Sequence, residues 1–191
     1  MFISFGKAFL LERRGLLVET NMILSKREIL EEIKKGNVKI KPFKLNSIGS
    51  CSIELRLGHY FRKFKKGKKI KIGERIDENS YSTPFKVETG KTAEMKPGEI
   101  LLGITLEKIK LSNSICGILE GYSAFARAGL LVYVSSNLVK SGVDNVQVLE
   151  LVNLSPNTLV LTPGSRICQI YFTRTSSPTE YMGKFKFQTK P

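Results

Sequence analysis

The sequence predicts a mainly β domain, either a jelly-roll-like double sheet or a distorted β-barrel, with a single N-terminal helix. Three observations predict it. Beyond Val38, short runs rich in Ile, Val, Leu and aromatics follow one another, punctuated by Gly, Pro, Asn and Ser. Only the segment before Val38 has a strong helical period. A chain of 191 residues suits one well-cored domain better than two.

Taken in order, residues 1–21 are mildly apolar but broken by Lys7, Glu12, Arg13 and Arg14. They make a poor signal peptide and read as an extension, with Met22 a natural alternative start and the cytoplasm the default location. Next comes SKREILEEIKKG. Ser25 and Glu28 form a capping box, Ile29, Leu30 and Ile33 make a helical stripe, and Gly36 ends it. The expected strands are VKIKPF, CSIELRLG, KKIKIG, EILLGITLEKIKL, SICGILEG, LLVYV, NVQVLELVN, TLVLT and ICQIYFTR. One further short helix is expected over residues 122–129.

The balance of 31 Lys and Arg against 17 Asp and Glu gives a formal net charge of +14, which suits an anionic partner. Seven of the cations fall in FRKFKKGKKIK, residues 61–71. This run reads as a solvated hairpin turning at Lys66-Gly67; nucleic-acid binding ranks last, because no recognition helix or stacking motif accompanies it. No apolar run reaches the ~20 residues of a membrane helix. Cys51, Cys116 and Cys168 lack metal-ligand spacing and read as small buried core residues.

Familiar catalytic motifs fail. Gly90-Lys91-Thr92 imitates the end of a phosphate-binding loop, but Phe85 stands where the first glycine is required. His59 is the only histidine, and after Gly58 it reads as a turn residue. The ligands of a zinc nucleobase deaminase are missing, so any deamination would proceed without zinc.

One residue stands out. In VQVLELVN, residues 146–153, Glu150 shares a strand face with Val146, Val148 and Val152, and the opposite face is also largely apolar. A carboxylate there costs several kcal/mol to bury (~3–5) unless donors or a cation meet it. Arg127, four residues after Ser123 on the short helix, is the nearest plausible partner in sequence. The alternatives are that Glu150 points to solvent or pairs with a lysine across the sheet.

Together these segments resemble the trimeric dCTP deaminases and their dUTPase relatives, over about residues 22–191. MILSKREI is similar to the family's opening; GSCSIELRLG resembles its first strand motif, with Glu54 where Asp is usual. GYSAFARAGL resembles the signature G-R-S-S-x-A-R-x-G-L, VLELVN the strand carrying the deaminase glutamate, and RICQIYF the last core strand. YMGKFKFQ, within a tail spanning 176–191, resembles the segment that covers bound nucleotide.

The resemblance implies a dUTPase-type fold, a homotrimer with its site between subunits, and hydrolytic conversion of dCTP to dUTP and ammonia. The alternatives are a dUTP diphosphatase, a bifunctional enzyme, or an impaired nucleotide-binding paralogue. Glu150 would relay protons, Ser123 would hold the attacking water and Arg127 would orient the carboxylate. Tyr122, Ala124, Ser136, Lys140, Val148, Gln169, Tyr181, Lys184 and Gln188 would contact dCTP or dUTP. Magnesium would ride on the triphosphate, with no zinc. Three positions depart from the pattern: Tyr122 stands for an Arg, Ala124 for a Ser, and Lys140 for an Asp. Lys140 cannot accept a proton, so hydrolysis of the phosphate chain by that Asp's route is expected to fail.

Overall fold

The structure, a computed structural model, describes residues 23–73, 77–132 and 135–191. The proposed extension at 1–21 lies outside the described residues. Helix α1 (Lys26–Lys35) opens with the capping box, Ser25 N donating to Glu28 Oε2 at 2.9 Å, and closes at Gly36 in the left-handed region (φ 80°). Strands β1 (Val38–Lys41), β2 (Ile53–Arg56) and β3 (Tyr60–Phe64) follow, then a four-residue helix α2 (Glu78–Tyr81) and β4 (Ser82–Lys86). After them come β5 (Ala93–Met95), β6 (Ile100–Leu111), β7 (Ile115–Gly121), α3 (Ser123–Arg127) and β8 (Leu130–Val132). Strands β9 (Leu138–Val139), β10 (Asp144–Asn153), β11 (Leu159–Leu161) and β12 (Arg166–Arg174) complete the order.

Two sheets make the body, as expected for the β class. One runs β4-β3-β6-β10-β8, with β1 also pairing β6; the other runs β2-β12-β7-β9, and β11-β5 form a separate ribbon. Pairing is antiparallel throughout these registers. Phe61, Leu101, Leu149 and Leu151 from the first sheet and Leu55, Leu119, Ile170 and Phe172 from the second are fully or almost fully buried in one core. Alternation produces this: each of these residues has half-exposed or polar neighbours on either side in its strand.

Three expectations are corrected. KKIKIG is not a strand: Ile72 is 79% exposed, so no core face holds it, and β3 instead pairs with Ser82–Lys86. The turn at Lys66-Gly67 does form, with Gly67 at φ 69°. Cys51 is exposed and Cys116 half-buried, leaving Cys168 as the buried thiol. His59 behaves as a turn residue, its Nδ1 2.9 Å from the Val87 carbonyl.

Candidate functional site: a carboxylate cleft and an exposed helix

Glu150 is placed by β10. Its neighbours Leu149 and Leu151 point into the core at 0% exposure, so Glu150 turns to the opposite face, half-buried, beside Leu102 of β6. The register between β10 and β6 shifts between Val146 and Val148, where Thr105 Oγ1 accepts from Gln147 N at 2.9 Å. Through this irregularity Val146, Val148 and Glu150 keep to one side. Ser135 meets the carboxylate: its backbone N–H and its hydroxyl each donate to Glu150 Oε2 at 3.2 Å. The hydrogen-bond demand of a half-buried carboxylate is thereby met locally.

A cleft of about 410 Å³ opens above this face. Glu150, Val148, Ser136, Lys140, Tyr181 and Gln188 all line it, so the structure brings together six of the residues singled out in the sequence. Its volume lies in the usual range for small-molecule sites. Lys140 Nζ lies 4.8 Å from the centroid of the Tyr181 ring. Lys184 stands 4.4 Å over the Phe185 ring and 4.0 Å from Glu78, another cleft residue.

The C-terminal segment forms one wall for a definite reason. Among the described residues β8 pairs with β10 at Leu151–Asn153, and the amides of Asp144 and Val146 are met by the C-terminal segment. Asp144 N donates to Lys186 O at 2.9 Å and Val146 N to Gln188 O at 3.0 Å; Tyr181 N donates to Ser141 O at 3.0 Å. Asn145 Nδ2 reaches Phe185 O at 2.6 Å. Gly142 (φ 76°) permits the approach, since a Cβ there would lie 2.7 Å from Glu180 Cγ.

Ser123, Ala124 and Arg127 are elsewhere. They are exposed on α3 and do not line the Glu150 cleft, so the sequence-based pairing of Arg127 with Glu150 is not found within the chain. The physical reason is topological: α3 links β7 to β8, which pairs with β10 at Leu151–Asn153, so the helix meets the far end of β10 and not the cleft. Tyr122, the N-cap of α3, buries its hydroxyl near Glu54, with no partner in good hydrogen-bond geometry among the described residues. Burial, and then the nearby Glu54 charge, push that phenol's pKa well above its ordinary value. Gln169 Oε1 accepts from Ser52 Oγ at 2.8 Å. Sequence reasoning missed Ser135 and Glu78; the polar turn Ser135-Ser136-Asn137 was a usable signal for the first, whereas nothing local marked the second.

Fold and cleft point to a class, the mainly β proteins with the dCTP deaminase fold, here with Glu150 lining a small-molecule cleft. The crystal structure of 2'-deoxycytidine 5'-triphosphate deaminase from Agrobacterium tumefaciens superposes with a TM-score of 0.64 at 18% identity. The match covers 82% of this chain and 49% of that one, a likeness of fold. The family described as dCTP deaminase-like matches residues 23–175, and the chain belongs to that enzyme family. A Corynebacterium glutamicum (strain R) protein named "dCTP deaminase, dUMP-forming" is 33% identical over 159 residues, 83% of this chain and 84% of that protein. A Dictyoglomus thermophilum protein of the same name is 35% identical over 162 residues, 83% and 84% of the two chains.

These relatives correct the expected product. Their names specify dUMP, so the expectation of dUTP as the end product does not stand. Among the described residues no group of three or more His, Cys, Asp or Glu is arranged to hold a metal ion, and no helix is long and apolar enough to cross a membrane.

Proposed function

We propose that this protein is a dCTP deaminase that carries its product to dUMP: dCTP and two waters give dUMP, ammonia and pyrophosphate. The observation that carries it is Glu150, a carboxylate held by Ser135 on the floor of a cleft that also presents Lys140. Family membership and the names of the relatives support the same reading.

In the first step Glu150 takes a proton from water as the oxygen bonds to C4 of cytosine. That proton passes to the ring nitrogen N3, the proton of the new C4 hydroxyl is relayed by Glu150 to the amine, and the C4–N bond breaks to leave the C4 carbonyl and release ammonia. One carboxylate acts first as base and then as acid, and Ser135 keeps it oriented throughout. Lys140 and Lys184 supply positive charge for the phosphate chain, and residues 176–191 cover the nucleotide with Tyr181 and Gln188. Ser136 and Val148 border the base. In the second step water attacks the phosphate chain and pyrophosphate departs. Lys140 acts there as a counter-charge and not as the base. Magnesium is brought by the triphosphate as part of the substrate.

Ser123 and Arg127 complete the site from a second copy of the chain in a homotrimer, because α3 presents both on the surface while Glu150 lies in its own cleft. Tyr122, Ala124 and Gln169 belong to that same contributing face.

Incubation with dCTP or dUTP and magnesium, following ammonia and pyrophosphate, tests the proposal. Equal amounts of both products are expected from dCTP, and Glu150→Gln is expected to slow ammonia release by about 10²- to 10⁴-fold. Nucleotide binding with neither product would reduce the protein to a non-catalytic relative.

A further inference from the structure

A second cavity, about 510 Å³, shares no lining residue with the Glu150 cleft. It opens beside β2 and β12, and Lys44, Arg56, Arg166, Glu54 and Glu107 line it. The carboxylates are committed. Glu107, 3% exposed, accepts from Arg56 Nε through Oε1 at 2.7 Å and from the Arg56 backbone N–H through Oε2 at 2.8 Å. Both oxygens of Glu54 accept from Arg166 Nη1, at 2.9 and 3.0 Å.

Each acid thus engages only part of a guanidinium, which carries five N–H donors in a rigid fork. Both forks are held in place, with donors to spare. Lys44 has no carboxylate within ion-pair distance among the described residues. Three cations against two spent carboxylates leave the cavity positive and rich in donors. Nothing in the deamination chemistry uses it.

A surface that only needed to stay soluble would not require guanidinium groups clamped toward a shared hollow. Pre-positioned arginine forks match tetrahedral phosphate oxygens, and the cavity is larger than a lone carboxylate would fill. The chain's net charge of +14 would draw polyanions toward it. We infer that Lys44, Arg56 and Arg166 form a binding site for an oligophosphate group. Two sources share that chemistry: free inorganic oligophosphate, or the phosphate tail of a nucleotide reaching past Tyr122 from the neighbouring α3 surface.

The probe is inorganic tripolyphosphate, titrated calorimetrically into the full chain without nucleotide, so the outcome is independent of deaminase activity. Saturable binding that weakens as salt rises is expected. Arg166→Leu should weaken it at least tenfold and Lys44→Ser several-fold, with Arg166→Lys partly retaining it. Thermal melts of each variant exclude unfolding as the cause, and Lys44→Ser changes an exposed side chain only. Lys140→Ser removes the phosphate-chain contact of the other cleft, so the titration is repeated in that background, where a saturable event that responds to Arg166→Leu should remain. Absence of binding, or loss that follows Lys140→Ser in place of Arg166→Leu, overturns the inference. A parallel titration with dCTP separates the sources: weakening by Arg166→Leu identifies the nucleotide tail, and an unchanged affinity identifies free oligophosphate.

Discussion

Glu32 ties the N-terminal helix to the last strand. It is 1% exposed, accepts from Asn37 Nδ2 at 2.6 Å and Lys35 Nζ at 3.0 Å, and lies 3.3 Å from Arg174. Burial alone would raise its pKa; the hydrogen bonds from Asn37 and Lys35 and the charge of Arg174 outweigh it, and the net effect is a lowered value. A carboxyl whose folded pKa is depressed adds stability above its unfolded pKa, and that stability is lost as pH falls through the folded value. Glu32→Gln is therefore expected to destabilise the fold by about 2 kcal/mol at neutral pH. The gap to wild type should narrow below about pH 4.5. Chemical denaturation of both proteins from pH 7 to pH 3 measures it; a gap that widens on acidification contradicts the assignment. Glu32 could not be singled out in the sequence, because Arg174 lies 142 residues away. Glu150 could, because a charged residue among alternating valines is a local anomaly.

At the scale of elements, β1 and β6 carry an unusual ladder. Lys39 pairs with Lys110 and Lys41 with Lys108, cross-strand, all four exposed. Asp144 relieves one side only, 2.9 Å from Lys108 and 3.9 Å from Lys110. Like charges directly opposite on a sheet repel, so Lys39→Glu is expected to stabilise the protein by about 0.5 kcal/mol at low ionic strength. The gain should shrink in high salt, where exposed charges are screened. Urea melts at two salt concentrations decide it. Elements with strong local signals were legible: α1 through its capping box and Gly36, and β6, β7, β10 and β12 through alternation. The four-residue helix α2 was not, since it has no room for a period. Neither was the false strand at 68–73, where alternating Ile and Lys imitate a half-buried strand that the core never covers. Pro84 is tolerated in β4 because that strand lies at the sheet edge.

At the scale of the whole molecule, the candidate site residues fall in two groups, one along the cleft face of β10 and one on α3, which links β7 to β8 at the far end of β10. The cleft face holds Glu150, Ser135, Lys140 and the C-terminal segment; the other holds α3 with Ser123 and Arg127. Which strands share a sheet is a matter of long-range pairing, and local alternation does not encode it. If the site is completed between copies, chains lacking opposite halves should rescue one another. Glu150→Gln and Arg127→Leu chains, each expected to be inactive alone, would be co-expressed with different tags and recovered as mixed assemblies. Every mixed cyclic trimer, whichever chain is in the majority, holds one site that joins an intact Glu150 to an intact Arg127, so about a third of the sites in the recovered assemblies would be intact. Ammonia release from dCTP near that fraction of wild type is the expected result. Mixed assemblies that stay silent, while wild-type chains treated alike are active, would mean that each site draws both residues from one chain, and that α3 must swing toward its own cleft.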